Sequence, residues 1–261
     1  AQPRDGGTVT FAFPTEPDSW SPLKVTAAQS VQFLHLLYDT MVVMDYDVAT
    51  IQPLIAESWD ISDDGTVYTF NLRNDVYFHS GRQATAADWV FSFNELLKED
   101  SVSPHGWRLG PVVSIEATGD FTLVITLAEP YSELLTQLTL PFLSLLDEEV
   151  VTEYGEDYGI VHGGGTGPFM WERWDPGEQL VLTRNPNYTW GPAIHDNTGP
   201  AHVETVIRRP IPEQTTMLFD LELGNIDVLI NAPQSEVDRL EMIPELTMVP
   251  VSPLPSIDFI S

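Results

Sequence analysis

The sequence predicts a mixed α/β fold that is divided into two lobes. The chain has 261 residues, of which 43% are hydrophobic, and a single hydrophobic core rarely grows beyond about 250 residues. Strand-like and helix-like periods alternate along the chain. Near its end, a strand, a helix and a second strand follow one another in the order of a crossover unit. These observations favour two modest cores.

The first elements are a strand, a stiff loop and a helix. Apolar residues alternate over 8–13, which predicts the strand. The following loop, 14–22, contains three prolines and cannot continue a β-ladder. Over 27–44, apolar residues recur at steps of three and four. That spacing predicts an amphipathic helix, which we expect to pack on the first strand.

The next part of the chain carries the signals of a small α+β unit. Asp64-Gly65 lies between two alternating stretches, the strongest short-range sign of a hairpin. Thr85 and Asp88 have the spacing of a capping box, which predicts that a helix begins there. Further predicted elements are strands at 112–117 and 121–127 and a helix at 131–138. We therefore expect residues 46–160 to form a compact insertion.

The sharpest change in composition is at 162–168, where four of seven residues are glycine. Such a density marks a linker or a close approach between backbones. The elements predicted after it are strands at 179–184, 202–209 and 226–230, a helix at 213–223, a short helix ending at Leu240, and a last strand at 248–251.

Charge and cysteine content exclude several classes of partner and site. The chain has 39 acidic and 11 basic residues, a net charge of −28, and no cysteine. Nucleic acid and anionic lipid would be repelled, while disulfides, thiolate metal sites and cysteine nucleophiles are ruled out. We hypothesise a salt-rich environment. Because no long apolar run is present, we expect a soluble chain whose export signal or lipid-anchoring cysteine has already been removed.

No catalytic motif is evident. The fragment 162–165 is similar to the oxyanion loop of lipases, but no Gly-x-Ser-x-Gly elbow accompanies it. The six histidines lack the spacing of a zinc hydrolase, and neither a calcium loop nor a phosphate-binding loop is present. We predict no catalytic residue, metal or cofactor. A pair of carboxylates for glycoside hydrolysis cannot be judged from spacing along the chain, so a secreted glycoside hydrolase or another extracellular enzyme remains the alternative.

An ordered set of segments resembles the extracellular solute-binding proteins of family 5, which serve dipeptide, oligopeptide and nickel importers. The densest match is the block 53–92, which follows the family signature almost position by position. Trp20 and Ser21 depart from the Leu and Asp usual in the family. The other matching segments are 6–9, 16–22, 165–169, 185–188 and 223–228.

The resemblance implies a lobe I of the type II periplasmic-binding-protein kind, formed by residues 1–45 and 161–261. Residues 46–160 would form an inserted lobe II that carries the signature 53–92. Family members are much longer than this chain, so a lobe III is expected to be absent. In such proteins a hinged cleft closes on the ligand.

On this half, the resemblance directs attention to residues that face the cleft. Glu16 and Asp18 are expected to receive a ligand ammonium, and Trp20 to offer a stacking face. The alternative is a solvated acid and a packing aromatic residue. The full set of predicted ligand-binding residues is Glu16, Pro17, Asp18, Trp20, Gly167, Phe169, Ile230 and Asn231.

The predicted function is the extracytoplasmic substrate-binding component of an ABC transporter, which captures a peptide or similar small solute and delivers it to the permease membrane subunits. Metal chelates and oligosaccharides remain open as ligands. The protein is expected to be a monomer, periplasmic or lipid-anchored at the cell surface, and not an enzyme.

Overall fold

The computed structural model describes residues 4–26, 28–101, 103–230, 232–247 and 249. Helices and strands are both present, and the predicted mixed α/β fold is confirmed. The strands are β1 Thr8–Phe13, β2 Val42–Met44, β3 Ile51–Pro53, β4 Ala56–Ile61, β5 Val67–Leu72, β6 Val112–Gly119, β7 Thr122–Leu127, β8 Phe169–Asp175, β9 Gln179–Arg184, β10 Thr205–Pro210 and β11 Val228–Leu229. The α-helices are α1 Ala28–Leu37, α2 Ala86–Leu97, α3 Leu134–Gln137, α4 Glu148–Tyr154, α5 Gln214–Glu222 and α6 Val237–Leu240. Short 3-10 helices lie at Gly106–Leu109, Pro141–Leu143 and Gly155–Asp157.

A five-stranded sheet has the order β11-β1-β10-β9-β8. β1 pairs in parallel with both β10 and β11, whereas β9 is antiparallel to β10 and to β8. α5 connects β10 to β11, so the predicted crossover unit is confirmed. Strands β1, β8, β10 and β11 therefore all run in one direction.

A separate four-stranded antiparallel sheet has the order β4-β5-β7-β6. Alternate residues of β5 and β7 are buried, as a sheet covered on one face requires. α2 covers that face with Trp89 and Phe93, which are fully buried. The predicted hairpin is present, with Gly65 at a φ of 69° between β4 and β5. The predicted capping box is also present at the start of α2, where the backbone N–H and the hydroxyl of Thr85 donate to the Asp88 carboxylate at 2.8 and 3.0 Å.

Each of the two larger sheets has its own hydrophobic core. The larger core lies on the four-stranded sheet, and a second core lies between α1 and the five-stranded sheet. The two cores are not built from two continuous parts of the chain. Tyr188 and Trp190 belong to the core of the four-stranded sheet, while Val150 and Val151 of α4 pack against the other core. No helix in the described ranges combines the length and apolar character needed to cross a bilayer.

One arginine links the starts of two helices. Arg82 donates to Asp88, in the first turn of α2, and to Asp147, the N-cap of α4, each at 2.7 Å. Both carboxylates are buried. Ser80 also donates to Asp147, at 2.7 Å. This ion-pair cluster fixes α4 to the loop that precedes α2.

The predicted helix over 27–44 is wrong beyond residue 37. α1 ends at Leu37, and 42–44 form β2, which pairs with β3. The helix ends because Asp39 turns its side chain inward to three donors distant in sequence. Helical spacing of the apolar residues gave no sign of those contacts.

Other differences concern short or irregular elements. β8 was not predicted, because a register shift between Trp171 and Arg173 breaks the two-residue period that identifies a strand. The helix expected at 131–138 is a single turn, and the strand expected at 226–230 spans two residues. Except for Val249, which is in no strand, the segment 248–251 lies outside the described residues.

The glycine-rich segment packs closely against the end of α1. A Cβ at Gly165 would lie 2.5 Å from the Leu37 carbonyl oxygen, and one at Gly167 would lie 2.6 Å from the Leu36 carbonyl oxygen. No side chain fits at these distances. Of the two predicted roles, linker or close backbone approach, the structure favours the second.

Candidate functional site

Three parallel strands have their carboxyl ends at the same edge of the five-stranded sheet. β1 ends at Phe13, β10 at Pro210 and β11 at Leu229. The residues that follow them, among them the 14–20 loop and Ile230, therefore lie at the same edge. In open α/β sheets, ligands bind in the crevice outside the carboxyl ends of the strands. This edge is the candidate site.

Glu16 anchors the 14–20 loop to the neighbouring hairpin. One carboxylate oxygen accepts from Nε1 of Trp174 at 2.7 Å, and the other accepts from the backbone N–H of Gly177 at 2.8 Å. Trp174 lies on β8 and Gly177 in the turn that leads to β9. Both oxygens of Glu16 thus have partners within the protein.

Trp20 is enclosed by protein. Its ring centroid lies 6.2 Å from that of Phe33 and 6.1 Å from that of Trp174. Its backbone N–H donates to the carbonyl of Gly159 at 2.8 Å. None of its surface is exposed. Of the two predicted roles for Trp20, the packing aromatic residue agrees with this environment.

Asp18 is the exposed acidic residue of the loop. Among the described residues, no hydrogen bond or ion pair to its carboxylate is found. Pro17, next to it, is buried. The loop therefore exposes the Asp18 carboxylate to solvent, while the contacts of Glu16 fix the shape of the loop.

Gly167 and Phe169 lie at the opposite edge of the sheet. β8 runs parallel to β1 and begins at Phe169, so both residues are close to the amino ends of the parallel strands. The carbonyl of Gly167 accepts from Nε2 of His79 at 2.9 Å, and the Phe169 side chain is buried. The structure does not bring this pair together with the 14–20 loop. Their contact with a ligand stays a prediction.

Ile230 follows β11 and lies at the candidate edge. Its half-buried side chain packs against the core beneath the 14–20 loop. Asn231, the next predicted residue, lies outside the described residues.

Arg208 was missed by the sequence analysis. It lies on β10, is 1% exposed, and donates from Nη2 to the carbonyl of Thr15 at 2.8 Å. Burial lowers the pKa of Arg208 to about 10, an effect that the nearby Glu16 opposes. The side chain therefore remains a cation at neutral pH. A signal was available, because the two-residue period of β10 places Arg208 on the same face as the buried Val206.

The buried carboxylate of Asp39, two residues after α1, connects that part of the chain to two later segments. Its carboxylate accepts from Thr166 at 2.9 Å, from Tyr188 at 3.1 Å and from Nε1 of Trp190 at 2.9 Å. Burial raises the pKa of Asp39 to about 6, although the three donors favour the ionised form. This contact set positions the glycine-rich segment and the loop after β9.

Two surface cavities, of about 210 and 510 Å³, share His79 and Met170. Neither is lined by the 14–20 loop. Within the part of the chain that the structure describes, no three His, Asp or Glu side chains gather as metal ligands would.

The sequence is similar to curated peptide-binding proteins. The profile described as bacterial extracellular solute-binding proteins, family 5 Middle, matches residues 50–261. Di/tripeptide-binding protein 2 of Pseudomonas aeruginosa is 31% identical over 222 residues, which cover 74% of this chain and 40% of that protein. The probable D,D-dipeptide-binding periplasmic protein DdpA of Escherichia coli is 30% identical over 207 residues, covering 78% of this chain and 38% of that protein.

Solved structures agree with the fold. The periplasmic binding protein DppA of Helicobacter pylori, in complex with the peptide STSA, aligns with a TM-score of 0.79 at 32% identity, covering 92% of this chain and 50% of that one. The oligopeptide-binding protein AppA of Bacillus subtilis, in complex with a nonapeptide, aligns with a TM-score of 0.83 at 23% identity, covering 93% and 47%. This chain thus spans half or less of the length of these proteins. It belongs to the bacterial extracellular solute-binding proteins of family 5.

Proposed function

We propose that this chain is the ligand-receiving half of an extracytoplasmic substrate-binding component of an ABC transporter, which captures a peptide or a similar small solute and delivers it to the permease. The observation that carries the proposal is the sheet edge where the 14–20 loop, held by Glu16, presents Asp18 to solvent. Membership of family 5 supports it. So do the names of two relatives, a di/tripeptide-binding protein and a binding protein in complex with the peptide STSA.

In this proposal Asp18 receives a cationic group of the ligand, such as a peptide ammonium. Pro17 and Ile230 border the same edge of the sheet, and Asn231, outside the described residues, stays a predicted ligand contact. Glu16 and Trp20 shape the loop from below. We assign the second wall of the cleft to the part of the longer relatives that this chain does not span.

The proposed domain division is lobe I from 1–45 and 161–261, and lobe II from 46–160. Two separate sheets, each with a hydrophobic core, support it. The packing of α4 on the second core indicates that the boundary near residue 160 is interleaved and not a simple linker.

We further propose that the protein acts outside the cytoplasmic membrane, either in the periplasm or held at the cell surface by a lipid anchor. It acts as a monomer and binds its ligand without chemical change. Metal chelates and oligosaccharides are alternative ligands.

The test is titration calorimetry of the protein at its full natural length with di-, tri- and tetrapeptides, together with turnover assays on the same peptides and on glycosides. Saturable peptide binding without turnover is expected. Hydrolysis of a peptide or glycoside would favour the enzyme alternative, and failure of every peptide to bind would reject the peptide ligand. The 261-residue chain alone should bind the same peptide more weakly, because it encloses less of the ligand.

A further inference from the structure

Arg208 occupies an unusual environment for a cation. Its guanidinium carbon lies 4.4 Å from the ring centroid of Phe13, 5.0 Å from that of Trp20 and 5.8 Å from that of Phe33. No carboxylate forms a salt bridge with it among the described residues. Its Nε is buried and has no hydrogen-bond partner in that part of the chain. The guanidinium is held by aromatic faces and by the carbonyl of Thr15.

This environment contributes little to the stability of the fold. Removing a guanidinium from water has a large desolvation cost, and a carboxylate partner that would offset it is missing here. An apolar side chain of similar volume would pack against the same three rings without that cost. Stability alone therefore gives no reason for a cation at this position.

The contacts of Arg208 with the 14–20 loop give another reason for an arginine at this position. Arg208 touches the loop near both ends, through the carbonyl of Thr15 and the face of Trp20. Between these points, Glu16 is tied to Trp174 and Gly177. Arg208 thus connects the two ends of the loop from β10, beneath it, as Trp174 connects Glu16 and Trp20 from β8.

We propose that Arg208 is a positioning residue that holds the 14–20 loop in its ligand-receiving shape from beneath. The inference rests on the proposed function of this sheet edge. A loop that is ordered before the ligand arrives loses less conformational entropy on binding. Without the anchor, the receptive shape is populated only part of the time, and the apparent dissociation constant rises by the inverse of that population.

The test compares Arg208→Met, Arg208→Lys and the control Arg209→Met in the protein at its full natural length. Arg209 is the neighbouring, half-buried residue of β10, and no salt bridge to it is found among the described residues. Three quantities are measured: the free energy of unfolding in urea, hydrogen exchange of the amides of residues 15, 16 and 18–20, and the affinity for a peptide that the wild type binds.

For Arg208→Met, we expect unchanged or greater stability, exchange of the loop amides at least about tenfold faster, and affinity at least about tenfold weaker. Arg208→Lys retains a donor for Thr15 and should recover part of the slow exchange. Arg209→Met should match the wild type in exchange and affinity. A purely structural role would instead lower the unfolding free energy and leave loop exchange unchanged.

Wild-type exchange rates in the loop of Arg208→Met, or equal acceleration in Arg209→Met, would overturn the inference. If the Met variant does not fold, the Lys variant decides, since loop exchange as slow as in the wild type would contradict a requirement for the planar guanidinium. If no peptide binds to the wild type, the proposed function fails, whereas the exchange data still decide whether Arg208 orders the loop.

Discussion

Glu16 and Trp174 are 158 residues apart in sequence, yet the indole Nε1 of Trp174 donates to the Glu16 carboxylate at 2.7 Å. Because this contact and the bond from Gly177 use both oxygens of Glu16, the acid at this position serves the shape of the loop. The exposed acid two residues later, Asp18, is the one that we propose as the ligand contact.

Replacing Glu16 should loosen the loop and lower stability. Glu16→Ala leaves Nε1 of Trp174 and the N–H of Gly177 without their acceptor, and we expect a loss of about 1–2 kcal/mol in the free energy of unfolding. Urea denaturation checks this. Glu16→Gln is the matched control, because it keeps one acceptor and should lose less. Equal stability of the Ala variant and the wild type would contradict the anchoring role.

Asp18→Asn should separate binding from folding. The side chain is exposed, so we expect the unfolding free energy to change by less than about 0.5 kcal/mol. Affinity for peptides with a free amino terminus should fall about tenfold or more, since a charge-assisted hydrogen bond is lost. Titration with N-acetylated peptides is the control, and these should bind both forms equally. A uniform loss for both peptide classes would argue against an ammonium contact.

Asp39 should make stability depend on pH in a defined direction. Its pKa of about 6 in the folded protein lies above the ordinary value of 3.8. The folded state therefore binds the proton more tightly. Protonation of Asp39 therefore adds about 2–3 kcal/mol to the free energy of unfolding. This stabilisation is fully present below pH about 4 and is lost as the pH rises through about 6.

Asp39→Asn isolates that effect. Its amide oxygen can accept from Thr166 and Trp190 while its NH₂ donates to the Tyr188 oxygen. Relative to the wild type, the variant should gain stability between pH 4 and 7, as measured by urea denaturation at each pH. Asp39→Ala should be less stable than either at pH 8. A wild-type-to-Asn difference that does not vary with pH would contradict the buried, titrating carboxylate.

Two neighbouring glycines should respond differently to a methyl group. Gly165→Ala places Cβ 2.5 Å from the Leu37 carbonyl oxygen, so we expect a loss of about 1–3 kcal/mol in unfolding free energy. At Gly164, the nearest atoms lie 3.9 Å away, and Gly164→Ala should be close to neutral. Thermal and urea denaturation of both variants check the difference. Equal effects would mean that the backbone approach at Gly165 is not as close as described.

Salt should stabilise the protein. With 39 acidic and 11 basic residues, the folded chain repels itself, and added ions screen that repulsion. We expect the urea midpoint to rise steadily between 0.1 and about 2 M potassium chloride, more than it does at pH near 4, where many carboxylates are protonated. A midpoint independent of salt at neutral pH would contradict the hypothesis of a salt-rich environment.

Local signals predicted the four-stranded sheet and its helix well. Asp64-Gly65 gave the hairpin, and Thr85 with Asp88 gave the first turn of α2, because each signal acts within a few residues. β8 was missed because its bulge after Trp171 disrupts the period on which strand prediction depends.

The candidate site was only partly predictable for a related reason. The loop could be located from its prolines and its resemblance to family 5. The partners of its residues could not, since Glu16 bonds to Trp174, and Trp20 to Gly159, across more than half of the chain. Contacts between residues so far apart in sequence cannot be inferred from sequence patterns. They determine that Glu16 is bonded within the protein while Asp18 faces solvent.

Arg82 has a mechanical consequence. It binds Asp88, in the helix that covers the four-stranded sheet, and Asp147, which caps the helix packed on the other core. A rotation of one sheet relative to the other would separate Arg82 from Asp88 or Asp147. Leaving a buried carboxylate without its partner costs about 3–5 kcal/mol. We therefore expect the two sheets to move as one body when the proposed cleft closes.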